Sequence, residues 1–258
     1  MPEAPVPMRT SLGRAERDRV LVRGHDLTEE LLGTASYADM VVLLLLGRMP
    51  SDADRRMVDA LLVSLIEHGL VKPVVTARFV YSNAPESLQA AVAASLLGAG
   101  SRHLGSSEWC ARMLQEAIAM VGDDPDRAAE KIVGEHRAAG TRVPGIGHRT
   151  HANGDPRADR LLDIARQTGH HGSHCRLLER VADLASATGG RRLPMNVTGA
   201  IAAIASDIGF RWEIIRGFAL ISRTLGALAH IQEEMDEPLS DRLIRQIQQS
   251  VEYRADEV

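Results

Sequence analysis

Two histidines follow glycine-rich turns in this chain, where backbone freedom lets an imidazole be aimed at a ligand. The first such segment is Val143-Pro144-Gly145-Ile146-Gly147-His148-Arg149, followed by Asp155-Pro156-Arg157. One proline and two glycines impose a special backbone path, and Arg157 falls in the first turn of the next helix. An Arg gripping a carboxylate through two N–H groups, beside a His that moves a proton, suits an anionic, oxygen-rich substrate. The plainer reading is a glycine turn carrying a surface histidine. The second segment, Gly98-Ala99-Gly100-Ser101-Arg102-His103-Leu104-Gly105, sets His103 in a loop between two helices. A neutral imidazole held there could donate a hydrogen bond to a developing enolate or oxyanion; otherwise it is a loop residue without a role.

Three further clusters could carry chemistry. Glu67-His68-Gly69-Leu70 reads as a helix end, where the helix dipole alone accounts for a His. Ser222-Arg223-Thr224-Leu225-Gly226 places an Arg inside an apolar helix. Arg223 needs a partner if buried, either a carboxylate ligand or Glu233 or Glu234. His170, His171 and His174 are too closely spaced to chelate from a helix pair, and a second ligand cluster is missing, so no metal site is expected.

The elements that must position these groups read as helices. Ser51 is an N-cap for a helix over Asp52 to Gly69, with Met57, Leu61, Leu62, Leu65 and Ile66 on one stripe. Further helices are expected over 87–97, 107–121, 156–167, 200–208, 212–234 and 238–249, with Gly122 and Gly169 as stops. Met40 to Leu46 reads as a buried helix, and Val20 to Arg23 as a short strand. The fold class is therefore all-α.

Composition narrows the function. The 258 residues are 45% hydrophobic, 25% charged and only 3% aromatic, the balance of an ordinary globular protein with few platforms for stacking bases. A net charge of -4 gives no footprint for nucleic acid. Lys72 and Lys131 are the only lysines, and neither lies in a Schiff-base or phosphate-loop motif. Cys110 and Cys175 make no disulfide framework, and Met1 to Thr10 lacks the apolar stretch of a signal peptide. A cytoplasmic location is expected. The run Met40 to Leu46 is far short of the ~20 residues that span a bilayer, so no membrane segment is expected.

Taken in order, these segments resemble the citrate synthase superfamily, from about Thr10 to Tyr253. The shortness resembles its citryl-CoA lyase branch and the C-terminal lyase module of ATP-citrate lyase. Val22-Arg23-Gly24-His25-Asp26-Leu27 and Gly47-Arg48-Met49-Pro50 look like the family's N-terminal region. The resemblance implies a two-lobed helical homodimer, with 1–104 plus 210–258 as the larger lobe and 105–209 as the smaller, closing lobe. It implies Claisen condensation of an acyl-CoA with a 2-oxo acid such as oxaloacetate, or the reverse cleavage of citryl-CoA. His103 would stabilise the enolate. His148 would exchange a proton with the carbonyl or hydroxyl oxygen. Arg157, Arg223 and His68 would hold carboxylates, and Val143, Pro144, Gly145, Ile146 and Gly147 would line coenzyme A. No metal or permanently bound cofactor is implied; coenzyme A enters as a thioester substrate.

The sequence departs from the pattern twice. The family's catalytic Asp follows an Asn-Val pair, but here Leu193-Pro194-Met195-Asn196-Val197-Thr198-Gly199 puts Thr198 in its place. A hydroxyl is far too weak a base or acid to replace a carboxylate. Near Tyr253, Gln248 and Gln249 stand where the family often donates an Arg across the dimer. Three readings follow: a lyase whose carbon-bound proton travels by another route, a citrate or 2-methylcitrate synthase-type acyltransferase, or a CoA-thioester-binding homologue with altered substrate or lost catalysis. A helical interaction module would bind no coenzyme A.

Overall fold

The computed structural model describes residues 8–101, 104–122, 124–147 and 154–254. Among them the chain opens with a small antiparallel sheet, β1 (Gly13–Ala15), β2 (Val20–Val22) and β3 (His25–Asp26). Arg23 and Gly24 both take positive φ, which lets a two-residue turn close the β2–β3 hairpin with the right twist. The Arg23 guanidinium then donates to Ser11 Oγ and to the Leu44 carbonyl, fastening the sheet to the end of α1 (Tyr37–Leu46). The expected strand at Val20 is present; the two flanking strands are too short to show alternation in the sequence.

Helix α1 and α2 (Asp52–Val63) start with reciprocal capping boxes, Ser36 with Asp39 and Ser51 with Asp54. Asp39 is buried and accepts from Arg55 Nε at 2.7 Å, joining the two helices. Helix α2 is shorter than its apolar stripe suggested. It ends at Val63, and Glu67 folds back to accept from the backbone N–H groups of His68 and Gly69. His68 therefore lies in an exposed turn and not in the last turn of a helix. Then come α3 (Lys72–Asn83), α4 (Leu88–Leu97), α5 (Ser106–Val121), α6 (Pro125–Ala138), α7 (Pro156–Thr168) and α8 (Ser173–Gly189). The chain closes with α9 (Val197–Ile208), α10 (Trp212–Asp236) and α11 (Ser240–Ser250).

Helix α9 is the centre of the core. Its Ala- and Ile-rich sequence lets α5, α7 and α8 approach closely on several sides. Gln115 of α5 bonds to Ser206, to the Phe210 carbonyl and to the Trp212 N–H, so it fixes the α9–α10 corner. Phe210 and Phe218 meet edge-to-face with centroids 5.0 Å apart. Helix α10 packs against α2, α3, α4, α5 and α9. Its 25 residues are long and apolar enough to cross a membrane by length and composition, yet Arg223 and Glu234 lie buried along it within the protein. Ser222 Oγ donates to the Leu62 carbonyl, and at Gly226 a Cβ would meet the Ile66 carbonyl oxygen at 2.3 Å. Glycine there permits the close contact between α10 and the turn after α2.

Candidate functional site

Three segments meet at the start of α9. Residues 145–147 run antiparallel to 194–196, with Asn196 N donating to the Gly145 carbonyl and Gly147 N donating to Pro194. Asn196 completes the junction: its side-chain N–H donates to the Gly147 carbonyl, while Oδ1 caps α9 at Gly199 N. Gly145 and Gly199 press backbone to backbone, since a Cβ on Gly199 would lie 2.4 Å from the Gly145 oxygen. From the other side, Ser106 Oγ donates to Thr198 Oγ1 at 3.0 Å, and Thr198 donates to Asn196 Oδ1 at 2.7 Å. His103 and His148 themselves lie outside the described residues. The chain immediately after the first, at Ser106, and immediately before the second, at Gly147, is nevertheless tied to Thr198 and Asn196.

The third tie is Asp155. It is fully buried, caps α7, accepts from Arg157 Nε and Nη2 at 3.1 and 3.0 Å, and accepts from Val197 N at 3.0 Å. Burial works against its ionisation, but Arg157 and the Val197 N–H outweigh burial and hold its carboxyl below the usual range. The sequence shows Asp155 only as an N-cap; its hold on Arg157 depends on contacts that spacing does not display. Arg223 is the opposite case. It is 7% exposed, and its Nε and Nη1 are buried without a hydrogen-bond partner among the described residues. Burial holds its pKa below the usual arginine range; Glu67 opposes that, and nearby Arg157 adds to it. Glu233 and Glu234 are not its partners, because both pair with Arg78.

Arg78 belongs to a network that sequence reasoning missed. It is 1% exposed and bonds Glu234 Oε2, Glu233 and His230 Nδ1. His230 Nε2 in turn meets Glu67 Oε1 at 3.2 Å. Glu234 also accepts from Leu239 N and Ser240 N, which starts α11. The only sequence signal was the helical spacing of Arg223, His230 and Glu233-Glu234 along one face of α10.

Beside the Gly145–Gly147 turn lies a groove of about 890 Å³ between the ends of α6 and α8. Val143, Ile146 and Gly147 line it. Pro144 and Gly145 do not; Gly145 packs on Cys110 and Gly199. The groove carries Arg137, Arg142, Arg191 and Arg192 and, among the described residues, no carboxylate, which the motif-centred sequence reading did not anticipate.

The three neighbouring histidines divide among separate carboxylates. His170 bonds Asp54, His171 bonds Glu179, and His174 bonds Asp207. No group of metal-ligating side chains forms among the described residues. Asp207, the first carboxylate after Thr198, accepts from Gly172, His174 and Cys175 N–H groups at the start of α8 and is spent there. Cys110 and Cys175 are both buried and unpaired.

Comparison with known proteins fits this arrangement. A family model, citrate synthase C-terminal domain, matches residues 23–246, and the chain belongs to that family. The chain is similar to the citryl-CoA lyase of Hydrogenobacter thermophilus, at 38% identity and a TM-score of 0.87, over 97% of this chain and 96% of that one. It is 26% identical to citrate synthase 2 of Bacillus subtilis over 81% of its own length and spans 54% of that relative. The ATP citrate lyase of Methanothrix soehngenii, solved with citrate and coenzyme A, shares the fold at a TM-score of 0.77 and 22% identity, over 99% of this chain and 43% of that one. The chain thus spans about half, or less, of the curated relatives it matches.

Proposed function

We propose that the protein cleaves citryl-CoA or a close analogue, or forms it by condensation of an acyl-CoA with oxaloacetate. The observation that carries this reading is Arg223. A buried guanidinium with two unpartnered donors, beside an Arg157 already fixed by Asp155, is costly unless a carboxylate arrives to use it. The basic groove suits the phosphates of coenzyme A, which guanidinium groups bind through paired N–H donors. Similarity to the Hydrogenobacter citryl-CoA lyase supports the same assignment.

In the cleavage direction, Arg157, Arg223 and His68 hold the substrate carboxylates. His148 takes the hydroxyl proton as the C–C bond breaks and the carbonyl of the oxo acid forms. The released electron pair becomes the thioester enolate, which His103 stabilises. That enolate must then take a proton on carbon. Thr198 is poorly placed to give one: its hydroxyl proton is directed at Asn196, and the chain from Ser106 fills one of its acceptor sites. Closure of residues 105–209 over the larger lobe would exclude water from the enolate. The same Thr198 geometry favours the second reading, a homologue that binds CoA thioesters with weak catalysis. A homodimer in the cytoplasm completes the proposal.

The test is citryl-CoA cleavage coupled to oxaloacetate detection, with calorimetric titration of acetyl-CoA. Cleavage above the level of a His148→Ala control supports the lyase. Binding of acetyl-CoA without cleavage supports the second reading, and no binding removes both.

A further inference from the structure

Resting on that reading of the site, we infer that His230 is a positioning residue for the oxyacid pocket, acting through Glu67 on His68 and Arg223. The face of α10 that carries Arg223 also carries Gly226 and His230, at successive turns. Glu67 lies over this face. Its Oε2 is 3.3 Å from the point a Gly226 Cβ would occupy, and its Oε1 meets His230 Nε2. The same carboxylate accepts from His68 N at 2.7 Å and from Gly69 N. It therefore sets the path of the turn that presents the His68 ring, and its charge favours the charged form of Arg223.

The direction of the His230 ring follows from its partners. Arg78 has only donors, so Nδ1 must accept from it, which leaves the proton on Nε2 to be donated to Glu67. Arg78 is itself fixed by Glu233 and Glu234. The result is a polar chain from α3 through α10 to the turn after α2, in which only Arg78 Nε is buried without a hydrogen-bond partner among the described residues. His230 touches neither of the substrate-holding arginines; its effect on them passes through Glu67.

Two substitutions separate this role from simple packing. His230→Gln keeps an N–H within reach of Glu67, whereas His230→Asn keeps only an acceptor near Arg78. Oxaloacetate binding is measured by calorimetry, and the backbone amides of His68 and Gly69 are followed by NMR, in the full-length protein. We expect His230→Asn to weaken oxaloacetate binding about tenfold and to shift both amides. His230→Gln should stay within about twofold of the unmodified protein; because Asn is one methylene smaller than Gln, His230→Leu, which keeps the volume but carries no N–H, is the packing control and should lose as much as His230→Asn. Unchanged amides and affinity in His230→Asn would overturn the inference, as would equal loss in His230→Gln and His230→Asn. If the unmodified protein binds no oxaloacetate, the proposed site falls and the inference with it. Binding that survives His230→Asn removes the inference alone.

Discussion

At the scale of single residues, the site is defined by which charges are already satisfied. Asp155 spends both oxygens on Arg157 and the first N–H of α9. Replacing it with Asn leaves a partly buried guanidinium short of its counter-ion, and removal of one member of a buried pair costs about 3 kcal/mol. Asp155→Asn should lower the urea midpoint accordingly and also weaken oxaloacetate binding. Thr198 poses a second question at this scale. Thr198→Asp puts a carboxylate at the position the family uses for its acid–base group. If that position faces the bound thioester, citryl-CoA cleavage should rise at least tenfold; unchanged turnover in a folded variant means that it does not face it. Arg223→Leu should abolish oxyacid binding while leaving acetyl-CoA binding intact, because the groove lies on other elements.

At the scale of elements, glycines decide how closely helices meet. Gly199→Ala would drive a methyl group into the Gly145 carbonyl, and Gly226→Ala would drive one into the Ile66 carbonyl. Overpacking of this kind costs about 1–3 kcal/mol, so both variants should melt earlier. Gly134, exposed in the middle of α6 with open space where a Cβ would sit, is the control: Gly134→Ala should stabilise by up to about 1 kcal/mol. The contrast shows what the sequence could and could not tell. Caps at Ser51, Asp155 and Gly169 use neighbours in the chain, so they were readable, as were the helices they bound. Helices α3, α6 and α8 were not expected from the sequence: α3 and α8 start without a capping side chain, whereas Asp124 and Pro125 are start signals that could have marked α6. The partners of Arg78 lie more than 150 residues away, and Nε and Nη1 of Arg223 have none among the described residues; no local pattern encodes either situation. The family motifs located the loops of His103 and His148; the Asn196–Thr198–Ser106 chain joining their flanks needed coordinates.

At the scale of the whole molecule, buried carboxylates set the response to acid. Burial opposes ionisation of Asp39, Asp155 and Asp207, and their hydrogen-bonded partners outweigh it, so all three sit below the ordinary range when folded. Asp54 is pulled down chiefly by Arg48. A carboxyl whose pKa is depressed by folding contributes stability that is present above its unfolded pKa and is lost as pH falls through the folded value. Stability should therefore be flat from pH 7 to about 5 and fall below about pH 4, the range where free Asp begins to protonate. Urea titrations across that range check it, and Asp155→Asn should flatten the acid limb. In solution the protein should scatter light as a dimer; Ile244, Ile247 and Val251 leave an apolar edge on and just after α11 that a second chain could cover.

Among the described residues, the groove's lining carries four arginines and His136 but no lysine. Thioesters acylate amines, and a protein that concentrates one on its surface risks being modified by its own substrate. Lys72 opens α3 and Lys131 pairs with Glu135 on α6, and neither lines the groove. The arginines can hold the phosphates of coenzyme A without offering a nucleophile to the acyl group. After long incubation with acetyl-CoA, the intact mass should show at most slow acetylation, and peptide mapping should place it on Lys72, Lys131 or the amino end and on no residue of the groove.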